Sequence, residues 1–206
     1  MGHTPFRYQA TEWDCVPTTF VNGLSLLFKR EEIPPEVIQR MYLYGLDFIS
    51  PRQHQGRGTT KEAVKLLCTW LWAKEHNSFS VYVKRKSGKK VRLAKDSKLT
   101  RHLQEENPAL LSVISTNEER HYILAMAIVD GWVYGFDPYP KLRSSQPGAV
   151  EWDEDETFRS HVPLRLKKGQ VPNVRIHASR LDAETGLYCL GKPSEREVVL
   201  MANAAS

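Results

Sequence analysis

The chain has 206 residues, 41% hydrophobic and 26% charged, with 29 Lys and Arg against 24 Asp and Glu for a net charge of +5. Such a chain can bury a core without disulfide or metal staples, and its composition argues against disorder. The positive excess is small, which argues against a nucleic-acid partner, and the longest apolar run, Ile123 to Val129, has seven residues and is too short to span a membrane.

The first residues, MGHTPFRYQ, show no apolar segment leading to a small-residue cleavage site, and Phe6 stands where a myristoylation signal needs Ser or Thr. Residues 1–14 read as an extended lead-in. Asp14 is placed to cap a helix from Cys15 to about Lys29, in which Val16, Phe20, Val21, Leu24, Leu27 and Phe28 recur at helical spacing. Pro17 falls in the first turn, where no backbone N–H is needed, and Gly23 marks a close approach of another element. Pro34-Pro35 opens a second helix to about Leu43. A polar loop from Ser50 to Gly58 follows, and Thr59 or Thr60 caps a third helix from Lys61 to about Lys74.

The period then changes to that of strands. Phe79 to Lys84 alternates, Ser87-Gly88 turns, and Val91 to Leu93 returns. Leu99 to Glu106 is a short helix and Ala109 to Ile114 a strand. His121 to Val129 and Trp132 to Phe136 are strands joined at Asp130-Gly131. A polar, acidic stretch covers Ser144 to Glu156, and three more strands are expected at Val174 to Ala178, Leu187 to Leu190 and Glu197 to Met201. Helices first and antiparallel strands after make the class α+β. Residues 1–140 read as a core and 141–206 as a β-rich extension packed on it within one domain.

Cys15 stands at a helix start, close to unpaired N–H groups and the positive end of the dipole, both of which favour thiolate. His121 opens a strand more than 100 residues later, and Asp137 ends the strand that hairpins back from it. A nucleophile, a base and an acid that orients the base are the parts of a catalytic triad. Gln9, six residues before Cys15, can donate its side-chain amide to a developing oxyanion beside the Cys15 N–H. Cys68 and Cys189 read as small buried hydrophobes, and His3, His54, His76, His102, His161 and His177 as core or edge histidines. The odd number of widely spaced cysteines fits a reducing, cytoplasmic setting and gives no metal or redox pair.

Geometry adds a condition. With a two-residue turn at Asp130-Gly131, paired residue numbers sum to 261, Asp137 faces Leu124, and His121 and Asp137 fall on opposite faces of the sheet. A triad therefore needs a glycine bulge at Gly131, or another one-residue irregularity between positions 122 and 136.

The segment Tyr8-Gln9-Ala10-Thr11-Glu12-Trp13-Asp14-Cys15 and its Thr-rich helix resemble the papain-like cysteine peptidases, and more narrowly the bacteriocin-processing peptidases that cut after a double glycine. Gly58-Thr59, His121-Tyr122 and Phe136-Asp137-Pro138-Tyr139 match the later parts of that pattern in order, over about residues 6–140. The resemblance implies a papain-like fold and a thiol hydrolase acting on a peptide or protein through Cys15, His121, Asp137 and Gln9, with no cofactor and no metal. Acyl transfer or deamidation would use the same residues. A catalytically silent peptide-binding module is the rival from another class, favoured by Val16-Pro17 where the family usually has a small residue after the nucleophile.

Two surface features stand apart. Lys84, Arg85, Lys86, Lys89, Lys90 and Arg92 surround the expected Ser87-Gly88 turn, either as a dock for an acidic peptide or phosphate backbone or as a solvated hairpin tip. Trp13, Tyr122, Trp132 and Tyr139 either line a cleft or pack in the core.

Overall fold

The computed structural model describes residues 5–47, 58–76, 79–115, 119–139, 148–153, 155–162 and 170–204. His3, His54, most of the loop expected at Ser50 to Gly58 and the start of the acidic stretch lie outside them.

Three helices come first: α1 (Cys15–Leu27), α2 (Pro35–Gly45) and α3 (Lys61–Trp72). Pro35 occupies the first turn of α2, and the Thr60 hydroxyl accepts from the Ala63 N–H to cap α3. Asp14 holds the N-cap position of α1, yet its side chain makes no capping bond there. The strands are β1 (Glu75–His76), β2 (Phe79–Ser87), β3 (Ala109–Ile114), β4 (Arg120–Val129), β5 (Trp132–Phe136), β6 (Val150–Trp152), β7 (Val174–His177) and β8 (Glu197–Asn203), with α4 (Lys98–Gln104) before β3 and α5 (Ala178–Leu181) after β7. All the pairings among the described residues are antiparallel, in the order β1-β2-β8-β3-β4-β5-β7-β6. The class is α+β, with the N-terminal helices packed on an antiparallel sheet.

The sheet has a core on each face. On one, Phe20 and Leu24 of α1 and Leu67 and Leu71 of α3 meet Leu110, Leu124 and Met201. On the other, Leu99 and Leu103 of α4 meet Leu111, Ile123 and Leu200. Gly23 is where α1 comes close to the sheet: a Cβ there would stand 3.2 Å from the Met201 sulfur and 3.5 Å from Leu124. The Thr19 hydroxyl, buried in the same seam, donates to the Tyr122 carbonyl at 3.1 Å and fixes α1 along β4.

Several expectations need correction. Ser87-Gly88 does not start a hairpin. Residues 88–90 form a single 3-10 turn, Val91 to Leu93 is not a strand, and the strand that pairs with β2 on the side away from β1 is β8, from Val81↔Asn203 to Ser87↔Glu197. The other edge of β8 pairs with β3, so a C-terminal strand lies inside the sheet. Leu187 to Leu190 is irregular, because Gly186 and Tyr188 take positive φ and break the extended run. The acidic stretch contains β6, in which Val150 turns inward while Glu151 pairs with Arg175 at 2.5 Å.

The turn between β4 and β5 is a two-residue one. Asp130 and Gly131 both have positive φ, 49° and 80°, as a type I′ turn requires. Val129↔Trp132, Ile128↔Val133 and Ala127↔Tyr134 keep the sum of 261. The register then shifts between Ala125 and Ala127, and Ala125↔Gly135 and Leu124↔Phe136 sum to 260. The irregularity is therefore a bulge at Met126 in the middle of β4, not one at Gly131.

Candidate active site

One residue beyond Phe136, the shifted register sets Asp137 beside Ile123, on the face to which His121 belongs. The two side chains meet: His121 Nε2 lies 2.7 Å from Asp137 Oδ1. Both are buried, His121 5% exposed and Asp137 fully enclosed. With Nε2 so engaged, Nδ1 is the ring nitrogen left for Cys15, whose side chain interacts with His121 and favours its protonated form. Cys15 itself is free of any disulfide and half-buried at the first position of α1.

Burial works against a charge on His121, but the Asp137 carboxylate, its hydrogen bond and the Cys15 sulfur outweigh it and raise the imidazole to about 10. The ring therefore favours the protonated state, the partner a thiolate needs.

Asp137 is held from several directions. Oδ1 also accepts from the Tyr139 N–H at 2.8 Å, and Oδ2 accepts from the Tyr188 hydroxyl at 2.8 Å. Its backbone is clasped by Asn173, whose Oδ1 accepts from the Asp137 N–H at 2.8 Å while Nδ2 donates to the Asp137 carbonyl at 2.9 Å. Asn173 and Tyr188 both belong to the part of the chain beyond residue 140. Sequence reasoning missed them, because a lone Asn before a strand and a Tyr after Gly186-Leu187 carry no motif.

The lead-in brings Gln9 to the same end of the sheet. Asn22 of α1 binds both the N–H and the carbonyl of Arg7 at 2.9 Å, and the Gln9 N–H donates to the Pro138 carbonyl at 2.9 Å. The Gln9 amide nitrogen donates to the Thr11 carbonyl at 2.7 Å, and its Oε1 is buried with no hydrogen-bond partner among the described residues. Asp14, 3% exposed, folds its carboxylate back on the lead-in instead of capping α1. Burial raises its proton affinity, but bonds from the Thr11 hydroxyl and N–H, the Ala10 N–H and the Thr18 hydroxyl prevail and lower it. The turn directly before Cys15 is thereby fixed.

The four aromatics divide. The Tyr139 ring lies 6.4 Å from that of His121 and its phenol donates to Glu12 at 3.3 Å, and Trp13 adjoins Asp14 and Cys15 in the chain. Tyr122 is core, its hydroxyl donating to the buried Glu197 at 2.7 Å. Trp132 lies at the far end of β5, under the Arg175 guanidinium. The six cations do not share a tip: Arg85 pairs with Glu197, whereas Lys84 and Lys86 line an open groove of about 270 Å³ with Lys98 and Arg101. Cys68 and Cys189 are buried, and His102 is buried with Nε2 3.1 Å from the Pro108 carbonyl. His177 caps α5, and the His161 ring stacks on Tyr134. Among the described residues no group of three His, Cys, Asp or Glu side chains is arranged to hold a metal, and no helix is long and apolar enough to cross a membrane.

No protein-family model and no curated protein matches this sequence. Among solved structures, the chain is similar to the peptidase domain of Streptococcus mutans ComA, at 12% identity and a TM-score of 0.42, with 97% of this chain and 99% of that one covered.

Proposed function

We propose that the protein is a thiol hydrolase of papain-like design that cleaves a peptide or amide bond through an acyl-enzyme. The observation that carries this reading is the position of His121, which is hydrogen-bonded to Asp137 at 2.7 Å and lies within interaction range of the Cys15 side chain. Cys15 Sγ attacks the carbonyl carbon as His121 takes the thiol proton. The tetrahedral oxyanion meets the Cys15 N–H, an orphan donor at the helix start, and the Gln9 amide once that side chain turns from Thr11. Collapse expels the amine, which takes its proton from His121. Water, deprotonated by His121, then releases the acid and restores the thiol. Asp137 keeps the ring oriented throughout.

Transfer of the acyl group to an amine, or deamidation of a glutamine, would use the same acyl-enzyme. A silent peptide-binding module is the second reading, supported by the engagement of the Gln9 amide with Thr11. Alkylation with iodoacetamide, mapped by mass spectrometry, separates enzyme from silent module. The enzyme reading expects selective labelling of Cys15 at about pH 6–7, below the ordinary thiol range, and a rate lower by about tenfold or more in His121→Ala. Equal rates in the two proteins would remove His121 from the mechanism.

A further inference from the structure

Tyr188 has the backbone of a residue under constraint. Its φ is 53°, in the left-handed region that a bulky side chain enters only at a cost. The surroundings impose it. The Tyr188 N–H donates to the Ile114 carbonyl at 2.9 Å, and the Ile114 N–H donates to the Cys189 carbonyl at 2.9 Å, so residues 188 and 189 are pinned to the end of β3. The ring packs edge-on against Trp152 of β6, with centroids 5.7 Å apart, and is 2% exposed. Strained backbone, burial and packing together deliver one polar atom, the phenol oxygen, to Asp137 Oδ2 at 2.8 Å. A phenylalanine would fill the same space, so packing alone does not account for the hydroxyl.

Resting on the hydrolase reading, we infer that Tyr188 is a positioning residue that tempers Asp137: by donating to Oδ2 it draws off part of the carboxylate's charge and so limits how tightly His121 holds its proton. The need is mechanistic. His121 must hold a proton against Cys15 and then surrender it to the leaving amine, and burial next to a fully available carboxylate favours only the first step. A donor on the far oxygen of Asp137 competes with the imidazolium for the same negative charge. The groups facing this pair come from three elements: Cys15 at the start of α1, Tyr139 after β5, and Tyr188 after α5. Of these, Tyr188 acts on Asp137 through its side chain, while Tyr139 contributes its N–H to Oδ1. Burial and the adjacent Asp137 carboxylate push the Tyr188 phenol well above its ordinary value, so it stays a donor across the range in which His121 titrates.

The test is an NMR titration of the His121 ring in the full chain, beside the iodoacetamide profile of Cys15. In Tyr188→Phe the His121 midpoint should rise by about one pH unit, the size of one hydrogen bond to a buried charge. The Nε2 proton should move downfield as its bond to Oδ1 strengthens. Site-specific fluorotyrosine at position 188 keeps the shape and strengthens the donor, so it should move the midpoint down. That arm also decides the matter if Tyr188→Phe fails to fold. An unchanged or lowered midpoint in Tyr188→Phe, or no downward shift with fluorotyrosine, overturns the role of Tyr188 while leaving the hydrolase reading intact. Loss of that reading shows separately, as Cys15 alkylation that does not depend on His121 in the protein with Tyr188 unaltered.

Discussion

His121 and Asp137 meet at 2.7 Å because β4 carries one residue, Met126, that β5 does not pair. Ala127 faces Tyr134 and Ala125 faces Gly135, which leaves Met126 between them without a partner in β5. Without that bulge Asp137 would share a face with Tyr122 and Leu124, beneath α1, and His121 would point to the other side.

The bulge needs room, and Gly135 provides it. A Cβ at Gly135 would stand 2.5 Å from the Leu124 carbonyl oxygen and 3.6 Å from the Ala125 Cα, both backbone atoms that cannot swing aside. Gly135→Ala is expected to destabilise the protein by about 1–3 kcal/mol, the usual penalty for overpacking. It should also lower the His121-dependent alkylation of Cys15, because Asp137 is two residues further along. Urea unfolding and the alkylation rate at neutral pH measure the two effects. Unchanged stability would show that the strands separate easily at this point.

Much of the candidate site was legible in the sequence because its signals are local. Asp130-Gly131 between alternating runs marks the hairpin, and a cysteine after Asp14 at the head of an apolar helix marks the proposed nucleophile. The need for a one-residue irregularity also follows from residue numbers alone, although its place at Met126 is marked only indirectly, by Gly135 inside the facing strand. The pairing of β2 with β8 was hidden for a different reason. Ser87-Gly88 looks like a turn whatever follows, and the choice between Val91 and Val199 as partners depends on contacts more than 100 residues apart. Tyr188 and Asn173 were hidden likewise: their contacts exist only once β7 and the loop after α5 are laid against Asp137.

Cys68 serves as an internal control for thiol reactivity. Burial and the nearby Glu197 carboxylate push its thiol up to about 12, with Arg85 opposing. In the native protein it should resist iodoacetamide at about pH 7–8 and become labelled only on unfolding in denaturant. Labelling of native Cys68 at the rate of Cys15 would mean that the α3–β2 seam opens readily.

The His121 pair also predicts a pH dependence of stability. Its folded proton affinity, raised to about 10, exceeds the ordinary imidazole value near 6.5. A raised group stabilises the fold fully below its unfolded value and loses that contribution as pH climbs to the folded one. The difference in melting temperature between the unaltered protein and His121→Ala should therefore be largest near about pH 6 and shrink steadily toward about pH 10. A difference that grows with pH over that range would show that His121 is buried neutral.

The last expectation concerns residues 141–206. β8 lies between β2 and β3, so a chain ending near residue 140 would leave both strands with open edges where seven residues of β2 and three of β3 are now paired. Val198, Val199, Leu200 and Met201 supply both core layers, and their loss would strip apolar cover from α1 and α4 alike. The same cut removes Asn173 from the Asp137 backbone and Tyr188 from its carboxylate. A fragment of residues 1–140 is expected to be insoluble or unfolded, with Cys15 no more reactive than an ordinary thiol. Circular dichroism and the alkylation rate of the fragment decide it: a folded fragment with full Cys15 reactivity would show that residues 1–140 form the catalytic unit by themselves.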